Sequence, residues 1–362
     1  MVTSVSDLSA STTRAGDSQA EALQLVLSGR VQGVGFRPFV YRLALAHGLS
    51  GWVRNRVGLV EIFIQGDSSA LQAFTRNLFH QAPPLSAPRL ETCTPSAATA
   101  PAGFSIEESS AAGESRVHVP PDLFTCDDCL AELSDSSDRR YRYPFINCTQ
   151  CGPRYTLIRG MPYDRPATTM AGFELCAACR EEYTDPARRR FHAEPVACPE
   201  CGPVLEFRAA EGRSTPGNTA ALQACIAALQ AGEIIAVKGI GGYHLMCDAR
   251  NDSAIRQLRI RKPRPDKPLA VLFPSAPEKP LKCISHRAYL SRTEADLLLS
   301  PARPIVLLRK RPEYDLSDRL APGLDEVGVM LPYSPLHHLL LNDFKGPLVA
   351  TSANISGEPV LI

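Results

Sequence analysis

CDDC at residues 126–129, CTQC at 148–151, CAAC at 176–179 and CPEC at 198–201 form four Cys-x-x-Cys pairs on a repeating spacing. Eighteen residues separate the first pair from the second, and eighteen separate the third from the fourth. Two thiolates two residues apart can hold one Zn²⁺ from a tight turn, and a second such pair completes a tetrahedron. The pattern predicts a double zinc-finger module over residues 120–204, with four cysteines around each of two structural Zn²⁺ ions. The eight predicted ligands are Cys126, Cys129, Cys148, Cys151, Cys176, Cys179, Cys198 and Cys201.

The two halves of this module also repeat outside the cysteines. Arg139-Arg140-Tyr141 matches Arg189-Arg190-Phe191, and Cys151-Gly152-Pro153 matches Cys201-Gly202-Pro203. The repeat favours metal sites in which neighbouring pairs share an ion, while spacing alone leaves open the pairing of the first with the fourth and the second with the third. A redox dithiol is the competing interpretation of any single pair, but four pairs with mirrored spacing favour structural zinc.

Six further residues are possible ligands by type. With eight thiols present, we expect the two histidines near the module to be bystanders, and we expect the four cysteines outside the spacing to be buried apolar side chains. They are His118, His192, Cys93, Cys225, Cys247 and Cys283.

Length and composition limit the class of protein. The 362 residues are enough for two or three domains, and 44% hydrophobic residues is ordinary for a globular chain. A net charge of +1 argues against a protein coated in basic charge for bulk nucleic-acid binding. No apolar run approaches membrane-spanning length and no secretory leader is present, so we expect a cytoplasmic protein without membrane contact, whose zinc-type cysteines suit a reducing compartment. Residues 1–21 are predicted to form a disordered tail.

The part before the cysteines has the pattern of a small α/β domain over residues 22–112. The predicted order β-α-β-β-α-β is typical of a ferredoxin-like sandwich, with residues 94–103 and 109–115 as loop. The predicted strands are 23–28, 51–56, 60–65 and 104–107, and the predicted helices are 36–47 and 67–79.

A glycine-rich loop in this domain is the first candidate site. Gly33 and Gly35 let the backbone turn tightly before a helix, and such a loop can direct several N–H groups at one anion. Arg37 adds a forked cation suited to phosphoryl oxygens. A simple strand-to-helix turn with a surface arginine is the alternative.

The part after the cysteines alternates helices and strands, with residues 209–218 as a polar linker and a domain over 218–362. Helices are predicted at 220–231, 252–261, 297–299 and from Ser334, with Thr293 and Asp296 as a capping box. Strands are predicted at 233–238, 269–273, 305–308, 327–331 and 348–351.

A basic cluster of six cations in twelve residues covers the end of the second of these helices and the residues after it: Arg256, Arg259, Arg261, Lys262, Arg264 and Lys267. It predicts a polyphosphate or nucleic-acid groove, with a solvated basic helix end as the alternative. The loop after Lys238 is glycine-rich without being a Walker motif, and Ser352-Ala353-Asn354 ends a strand, where α/β sheets commonly bind ligands.

Two resemblances sharpen these expectations. The run Val31-Gln32-Gly33-Val34-Gly35-Phe36-Arg37, with Gly51-Trp52-Val53-Arg54-Asn55, closely resembles the acylphosphatase family. That resemblance implies that Gln32, Gly33, Val34, Gly35 and Phe36 cradle a phosphate, that Arg37 binds it and that Asn55 orients the attacking water. Lys262-Pro263-Arg264 and Ser352-Ala353-Asn354 resemble YrdC-like domains. This second resemblance implies an ATP site formed by Lys238, Lys262, Arg264, Ser352 and Asn354.

The three parts in this order resemble the HypF family of hydrogenase-maturation carbamoyltransferases. The resemblance implies that carbamoyl phosphate and ATP, with Mg²⁺, give a carbamoyl adenylate, and that the carbamoyl group passes to the C-terminal cysteine of a HypE-type protein. The family carries a further C-terminal domain, and this chain ends at Ile362. We therefore expect that domain to be absent and the YrdC-like domain to be incomplete. The alternatives are an acyl phosphate hydrolase only, a YrdC-like RNA-binding module with weak RNA binding, and a zinc-ribbon chaperone or redox module.

Overall fold

The computed structural model describes residues 21–56, 58–83, 85–108, 121–160 and 163–354. Their strands form sheets of five, six and two strands. The predicted tail lies outside the described residues except for Glu21, which begins the first strand. The predicted boundaries at residues 112, 120, 204, 218 and 362 stay predictions. Among the described residues, no helix is both long enough and apolar enough to cross a bilayer.

The first domain is the predicted ferredoxin-like sandwich. Its five-stranded sheet has the order β4-β1-β3-β2-β5, and both helices pack against it. Only the β2–β5 pair is parallel. The elements are β1 (Glu21–Arg30), α1 (Phe36–Ala46), β2 (Ser50–Arg56), β3 (Leu59–Gly66), α2 (Ser68–His80), β4 (Ala87–Pro95) and β5 (Phe104–Ile106).

Strand β4 is absent from the predicted pattern. It carries Pro88 and is exposed along most of its length, so it shows neither continuous apolar residues nor alternation. Both properties suit its place at the edge of the sheet, where it pairs only with β1. The prediction that Cys93 is buried is wrong for the same reason, because this strand exposes it to solvent.

The cysteine module has little regular structure. Its two helices are α3 (Asp127–Ser134) and α4 (Ala177–Thr184), each beginning directly after the first cysteine of a pair. Three short 3₁₀ turns, Tyr155–Leu157, Arg165–Ala167 and Thr169–Gly172, lie between the two repeats. A hairpin of β6 (Glu206–Arg208) and β7 (Ser214–Pro216) follows the module. This corrects the prediction that residues 209–218 are only a linker.

The last domain is built on a mixed six-stranded sheet of order β11-β12-β10-β13-β9-β8, in which only β10 and β12 run parallel. Its strands are β8 (Ile235–Lys238), β9 (Tyr243–Asp248), β10 (Val271–Leu272), β11 (Val306–Arg309), β12 (Glu326–Met330) and β13 (Leu348–Ser352). Its helices are α5 (Asn218–Gln230), α6 (Asp252–Arg261), α7 (Lys282–Ser285), α8 (Arg292–Leu299) and α9 (Pro335–Phe344), with a 3₁₀ turn at Asp318–Leu320.

Two details of this domain differ from the predictions. Strand β9 directly follows the glycine-rich loop and is absent from the predicted strands. The capping box of α8 is formed by Ser291 and Glu294, not by Thr293 and Asp296. The helix therefore begins one residue before Thr293, so Thr293 lies inside its first turn. Ser334 caps α9 with Pro335 at the first helical position, as predicted.

The module and the last domain share one apolar core. Tyr143 and Ile146 of the module belong to the same buried cluster as Leu222 and Leu340 of the last domain. An ion pair between Arg142 and Asp343 reinforces this contact. The cysteine module is therefore packed into the fold rather than tethered to it.

Candidate functional site

The eight cysteines lie in two groups of four. Cys126, Cys129, Cys148 and Cys151 form the first cluster, and Cys176, Cys179, Cys198 and Cys201 form the second. Neighbouring pairs therefore meet, and the alternative pairing of outer with inner pairs is not seen. Three sulfur–sulfur contacts in the first cluster measure 3.5–3.7 Å and two in the second measure 3.7 Å, and within each cluster all four sulfurs lie within 4.8 Å of one another. A tetrahedron with Zn–S bonds of about 2.3 Å has edges of roughly 3.8 Å, whereas a disulfide needs about 2.05 Å. The two clusters fit two structural zinc ions.

Four arginines cross between the clusters. Arg140 of the first repeat donates to Cys179 Sγ of the second at 3.3 Å, and Arg139 donates to the same sulfur. Reciprocally, Arg189 of the second repeat donates to Cys129 Sγ of the first at 3.3 Å, and Arg190 lies 3.9 Å from it. Four thiolates around one Zn²⁺ leave two negative charges, so buried cations that donate to the sulfurs stabilise each cluster.

The same arginines also bind backbone and carboxylate groups across the repeat. Arg140 Nε donates to the carbonyl of Ala197 and Arg190 Nε to that of Asn147, both at 2.9 Å. Glu182 on α4 pairs with Arg140, and Glu132 on α3 pairs with Arg190. This explains the repeated Arg-Arg pair in the sequence, because each repeat supplies the counterions of the other.

The remaining ligand-type residues lie outside these clusters. His192 faces the first domain instead, and His118 lies outside the described residues. Cys225 and Cys247 are buried as predicted, and burial raises the pKa of each thiol to about 12. Cys283 is half-buried.

The glycine-rich loop of the first domain has the backbone that an anion cradle needs. Gly33 and Gly35 both have positive φ, at 69° and 71°, and Gly35 precedes the first residue of α1. A Cβ on Gly35 would lie 2.8 Å from Thr149 Oγ1 of the cysteine module, so glycine is required for both reasons. Among the described residues, no backbone N–H from residue 32 to residue 36 donates to another backbone group. These donors lie at the positive end of α1.

The cysteine module holds this loop directly. Arg154 is buried and donates its Nε to the carbonyl of Gly33 at 3.0 Å. Its other nitrogens donate to the carbonyls of Cys148, Cys151 and Pro153. One side chain therefore connects the candidate phosphate loop to the backbone of the first cluster.

The loop opens into a small cavity, the phosphate-loop cavity, whose wall is shared by two domains. The first domain contributes Arg37 and Asn55, and Asn55 Oδ1 is buried with no hydrogen-bond partner among the described residues. The cysteine module contributes Thr149, Arg154, Tyr163, Phe191, His192 and Glu194.

The electrostatics of this cavity follow from burial. Desolvation lowers the pKa of Arg37, partly offset by the charge of Glu194. Desolvation also raises the pKa of Glu194 to about 7 and, together with the charge of Arg37, lowers the pKa of His192 to about 4. The imidazole is therefore neutral near pH 7. Two arginines line the cavity, Arg37 from the first domain and Arg154 from the module. Since Arg154 already donates to backbone carbonyls, Arg37 is the candidate cation for a bound anion.

Gln32 was predicted to bind phosphate, and its side chain is otherwise engaged. Its Nε2 donates to the carbonyls of Arg56 and Leu59, both at 2.9 Å. The side chain thus braces the turn after β2, and the backbone N–H is what Gln32 offers to the cradle.

A second and much larger cavity of about 970 Å³, the interdomain cavity, lies between the module and the last domain. Lys238, Gly239, Ile240 and Gly241 line it from the last domain. On the module side its wall includes Asn147, Pro153, Tyr155 and Pro195, whose neighbours Thr149, Arg154 and Glu194 line the phosphate-loop cavity. Two segments of the module, residues 147–155 and 194–195, therefore separate the cavities.

The structure brings most of the predicted nucleotide residues together. Lys262 Nζ donates to the carbonyls of Ser352 and Asn354, both at 2.6 Å, and Ser352 Oγ donates to Asn354 Oδ1. Lys238 lies 4.9 Å from the ring centroid of Tyr243, whose carbonyl accepts from the N–H of Ala353.

Two arginines of the basic cluster have structural contacts. Arg264 donates to the carbonyl of Pro268 at 2.7 Å. Arg259 is buried and donates to the carbonyls of Arg319, Arg264 and Pro265. The cluster is therefore not a uniformly free cationic face, and Lys262 is its member that contacts the strand-end residues Ser352 and Asn354.

Sequence reasoning missed the residues that the module adds to the phosphate-loop cavity. Arg154, His192 and Glu194 follow the glycine-rich loop by more than a hundred residues, and none belongs to a phosphate motif. One signal was available: the repeat places Glu194 opposite Pro144, so the second repeat carries an acid where the first has none.

Family models match the three parts in order. An acylphosphatase model matches residues 23–106, a HypF finger model matches 125–158 and 175–207, and a Sua5/YciO/YrdC model described as telomere recombination matches 227–362. Together they cover the two large sheets and both cysteine repeats.

Whole-chain comparisons agree with this order. The chain is 49% identical over 350 residues to the carbamoyltransferase HypF of Synechocystis, covering 94% of this chain and 44% of that protein. The chain belongs to the HypF family. It is likewise 50% identical over 345 residues to the carbamoyltransferase HypF of Rhodobacter capsulatus, covering 94% of this chain and 44% of that one.

Solved HypF structures have the same fold. A full-length HypF in a phosphate- and nucleotide-bound form superposes with a TM-score of 0.86 at 41% identity, covering 96% of this chain and 45% of that chain. The HypF of T. kodakarensis gives a TM-score of 0.83 at 42% identity, covering 94% and 43%. This HypF-family chain spans less than half the length of these HypF relatives.

The two clusters predict a zinc content that depends on individual cysteines. Cys198→Ser should reduce bound zinc from two ions per chain to one or fewer, because three thiolates and a serine hydroxyl hold the ion weakly. Metal analysis of protein purified without chelators measures this directly. Cys225→Ser is the matched control, since Cys225 lies outside both clusters, and it should retain two ions. Two ions in the Cys198→Ser protein would contradict the assignment.

Proposed function

We propose that this HypF-family chain hydrolyses carbamoyl phosphate in the phosphate-loop cavity and activates the product with ATP in its last domain. The observation that carries the first step is the convergence of the loop N–H groups, Arg37 and Asn55 on one cavity. The name of the relatives, carbamoyltransferase, supports the carbamoyl group as the unit transferred.

The chemistry of the first step suits these residues. An acyl phosphate is a mixed anhydride with a good leaving group, so its hydrolysis needs an anion cradle and a placed water rather than a strong base. In this proposal Arg37 and the loop N–H groups bind the phosphoryl oxygens. Asn55 Oδ1, which is buried without a partner among the described residues, accepts a hydrogen bond from the attacking water and orients it. The products are phosphate and carbamate.

The second step uses the last domain. Carbamate attacks the α-phosphorus of ATP, held with Mg²⁺, and pyrophosphate leaves, so that a carbamoyl adenylate forms. Lys262, Ser352 and Asn354 are proposed to bind the nucleotide, with Lys238 and Arg264 beside them. The nucleotide-bound state of a related HypF supports this proposal. The module segments at residues 147–155 and 194–195 separate the phosphate-loop cavity from the interdomain cavity, which Lys238 lines. In this proposal carbamate passes between the two cavities at these segments.

The later fate of the carbamoyl group is a proposal about the full-length relatives. A HypE-type protein with a C-terminal cysteine is the proposed acceptor, because a thiolate attacks a mixed anhydride readily. The proposed compartment is the cytoplasm, where thiols stay reduced and available to zinc.

The alternative functions find less support. An acyl phosphate hydrolase alone leaves the arrangement of Lys262, Ser352 and Asn354 unused. An RNA-binding module needs a continuous cationic face, whereas three of the six cations in the basic cluster, Arg259, Lys262 and Arg264, donate to backbone carbonyls. A redox role for the cysteines disagrees with sulfur spacings of tetrahedral size.

Arg37→Ala should reduce kcat/KM for acyl phosphate hydrolysis by roughly 100-fold or more, because the substrate loses the cation that the first domain supplies. Asn55→Ala should reduce kcat while leaving inhibition by inorganic phosphate nearly unchanged, because its proposed role is to place water. Phosphate release from carbamoyl phosphate and acetyl phosphate measures both. Arg76→Ala, an exposed arginine on α2, is the matched control. Near-normal turnover by Arg37→Ala would refute the assignment.

Lys262→Ala should weaken ATP binding by roughly 10-fold or more, because a charge-assisted contact to phosphate is lost. Arg264→Ala should weaken binding less, since Pro268 already engages that guanidinium. Titration calorimetry at two salt concentrations measures both, and wild-type affinity should fall as ionic strength rises. Lys279→Ala, at an exposed position, is the control. Equal affinity in Lys262→Ala and wild type would mean that Lys262 only braces the strand end.

A further inference from the structure

Glu194 places a half-satisfied carboxylate in the wall of the phosphate-loop cavity. The residue is 2% exposed. Its Oε2 accepts two hydrogen bonds, from the N–H of Arg165 at 2.7 Å and from the hydroxyl of Tyr183 at 2.6 Å. Its Oε1 is buried and has no hydrogen-bond partner among the described residues. Leaving such an acceptor unpaired is costly, so a donor is expected there when the site is filled.

The surroundings of Oε1 belong to the same cavity. Oε1 lies 3.9 Å from His192 Nδ1, and the low pKa of that histidine keeps its ring neutral near pH 7. Arg37 acts electrostatically on Glu194 from the first domain. The cavity therefore has a cationic part for a phosphoryl group and, beside it, one carboxylate oxygen that can accept a hydrogen bond.

The zinc-binding fold does not need this carboxylate. An offset of 50 residues aligns the repeats, as Cys148 with Cys198, and it aligns Glu194 with Pro144. The backbone is alike on both sides, since Arg142 and its equivalent His192 have φ of 54° and 50°. The first repeat thus makes the same turn and the same type of cluster with a proline in this place. Both repeats contribute to the wall of the phosphate-loop cavity, but only the second places an acid there.

We propose that Glu194 Oε1 accepts a hydrogen bond from the amino group of carbamoyl phosphate and so selects a carbamoyl group over an acetyl group. This inference rests on the proposed hydrolysis and adds its specificity. The carbamoyl NH₂ can donate, whereas the methyl group of acetyl phosphate cannot and would leave Oε1 unpaired. A buried acceptor that only one of two similar substrates can satisfy is an effective basis for discrimination. Glu194 is in this account a specificity-determining residue, with Arg37 binding the opposite end of the substrate.

Glu194→Gln distinguishes this role from a structural one. The glutamine oxygen can accept from Arg165 and Tyr183 as Oε2 does, which directs the amide NH₂ to the position of Oε1. A donor then faces the donor of carbamoyl phosphate. The expected result is a fall of roughly 10- to 100-fold in kcat/KM for carbamoyl phosphate. The ratio of kcat/KM for carbamoyl phosphate to that for acetyl phosphate should fall at least about 10-fold.

The experiment measures phosphate release from both substrates by the full chain, corrected for spontaneous breakdown. Glu174→Gln makes the same change at an exposed glutamate of the same module and should leave the ratio at the wild-type value. An equal loss on both substrates in Glu194→Gln would overturn the inference and leave Glu194 a structural residue. Unchanged rates on both substrates would also overturn it. That result is expected if Glu194 is protonated and donates to the acyl oxygen, because the amide of glutamine can donate there as well. A wild-type chain that hydrolyses neither substrate would instead refute the proposed function itself.

Discussion

The reciprocal donation of arginines to zinc-site sulfurs is the interaction on which the rest of the structure depends. Each four-cysteine cluster carries excess negative charge, and the cations that offset it come from the other repeat, Arg140 to Cys179 and Arg189 to Cys129. Buried arginines are costly unless their nitrogens find acceptors, and Arg140 and Arg190 meet that demand through carbonyls and carboxylates of the opposite repeat. Neither repeat can therefore satisfy its own charges alone. The module acts as one rigid unit, although its helices are short and it contains no sheet of its own among the described residues.

That unit supplies walls to the phosphate-loop cavity and to the interdomain cavity. Arg154 connects Gly33 of the phosphate loop to carbonyls of the first cluster, and Thr149 approaches Gly35 so closely that no side chain fits there. On the opposite side the module shares an apolar core with the last domain and an ion pair between Arg142 and Asp343. The cysteine clusters thus have a role beyond the folding of the module, because the module that they hold together contacts both other domains. Residues 147–155 and 194–195 of the module lie between the two cavities, and the module brings Glu194 to the cavity that Arg37 lines.

Short sequence patterns predicted the features that depend on neighbouring residues. The cysteine spacing indicated both clusters, the glycine-rich loop indicated the candidate cradle, and the order of apolar segments and turns indicated every element of the first domain except β4. Strand β4 was not predicted because an exposed edge strand carrying Pro88 has no apolar pattern. Strand β9 was not predicted because it directly follows a glycine-rich loop. The crossing of Arg140 and Arg190 could not be read from spacing, since the repeat of Arg-Arg shows that the pairs are equivalent but not which sulfur each one meets. Glu194 was missed because its partners in the cavity lie in another domain, although its mismatch with Pro144 was visible in the repeat.

The central claim is that the two zinc clusters stabilise each other through the crossed arginines, and hydrogen–deuterium exchange tests it most directly. Cys176→Ser breaks the second cluster at a residue far from α3 in sequence. If the clusters are interdependent, the amides of α3, which belongs to the first cluster, should exchange faster in Cys176→Ser than in wild type. The reason is that Cys179, the sulfur acceptor of Arg139 and Arg140, is then no longer held in a complete four-cysteine cluster, so the crossed arginines lose their fixed position. An unchanged exchange rate throughout α3, together with loss of protection in α4 alone, would show that the clusters fold independently and would contradict the account.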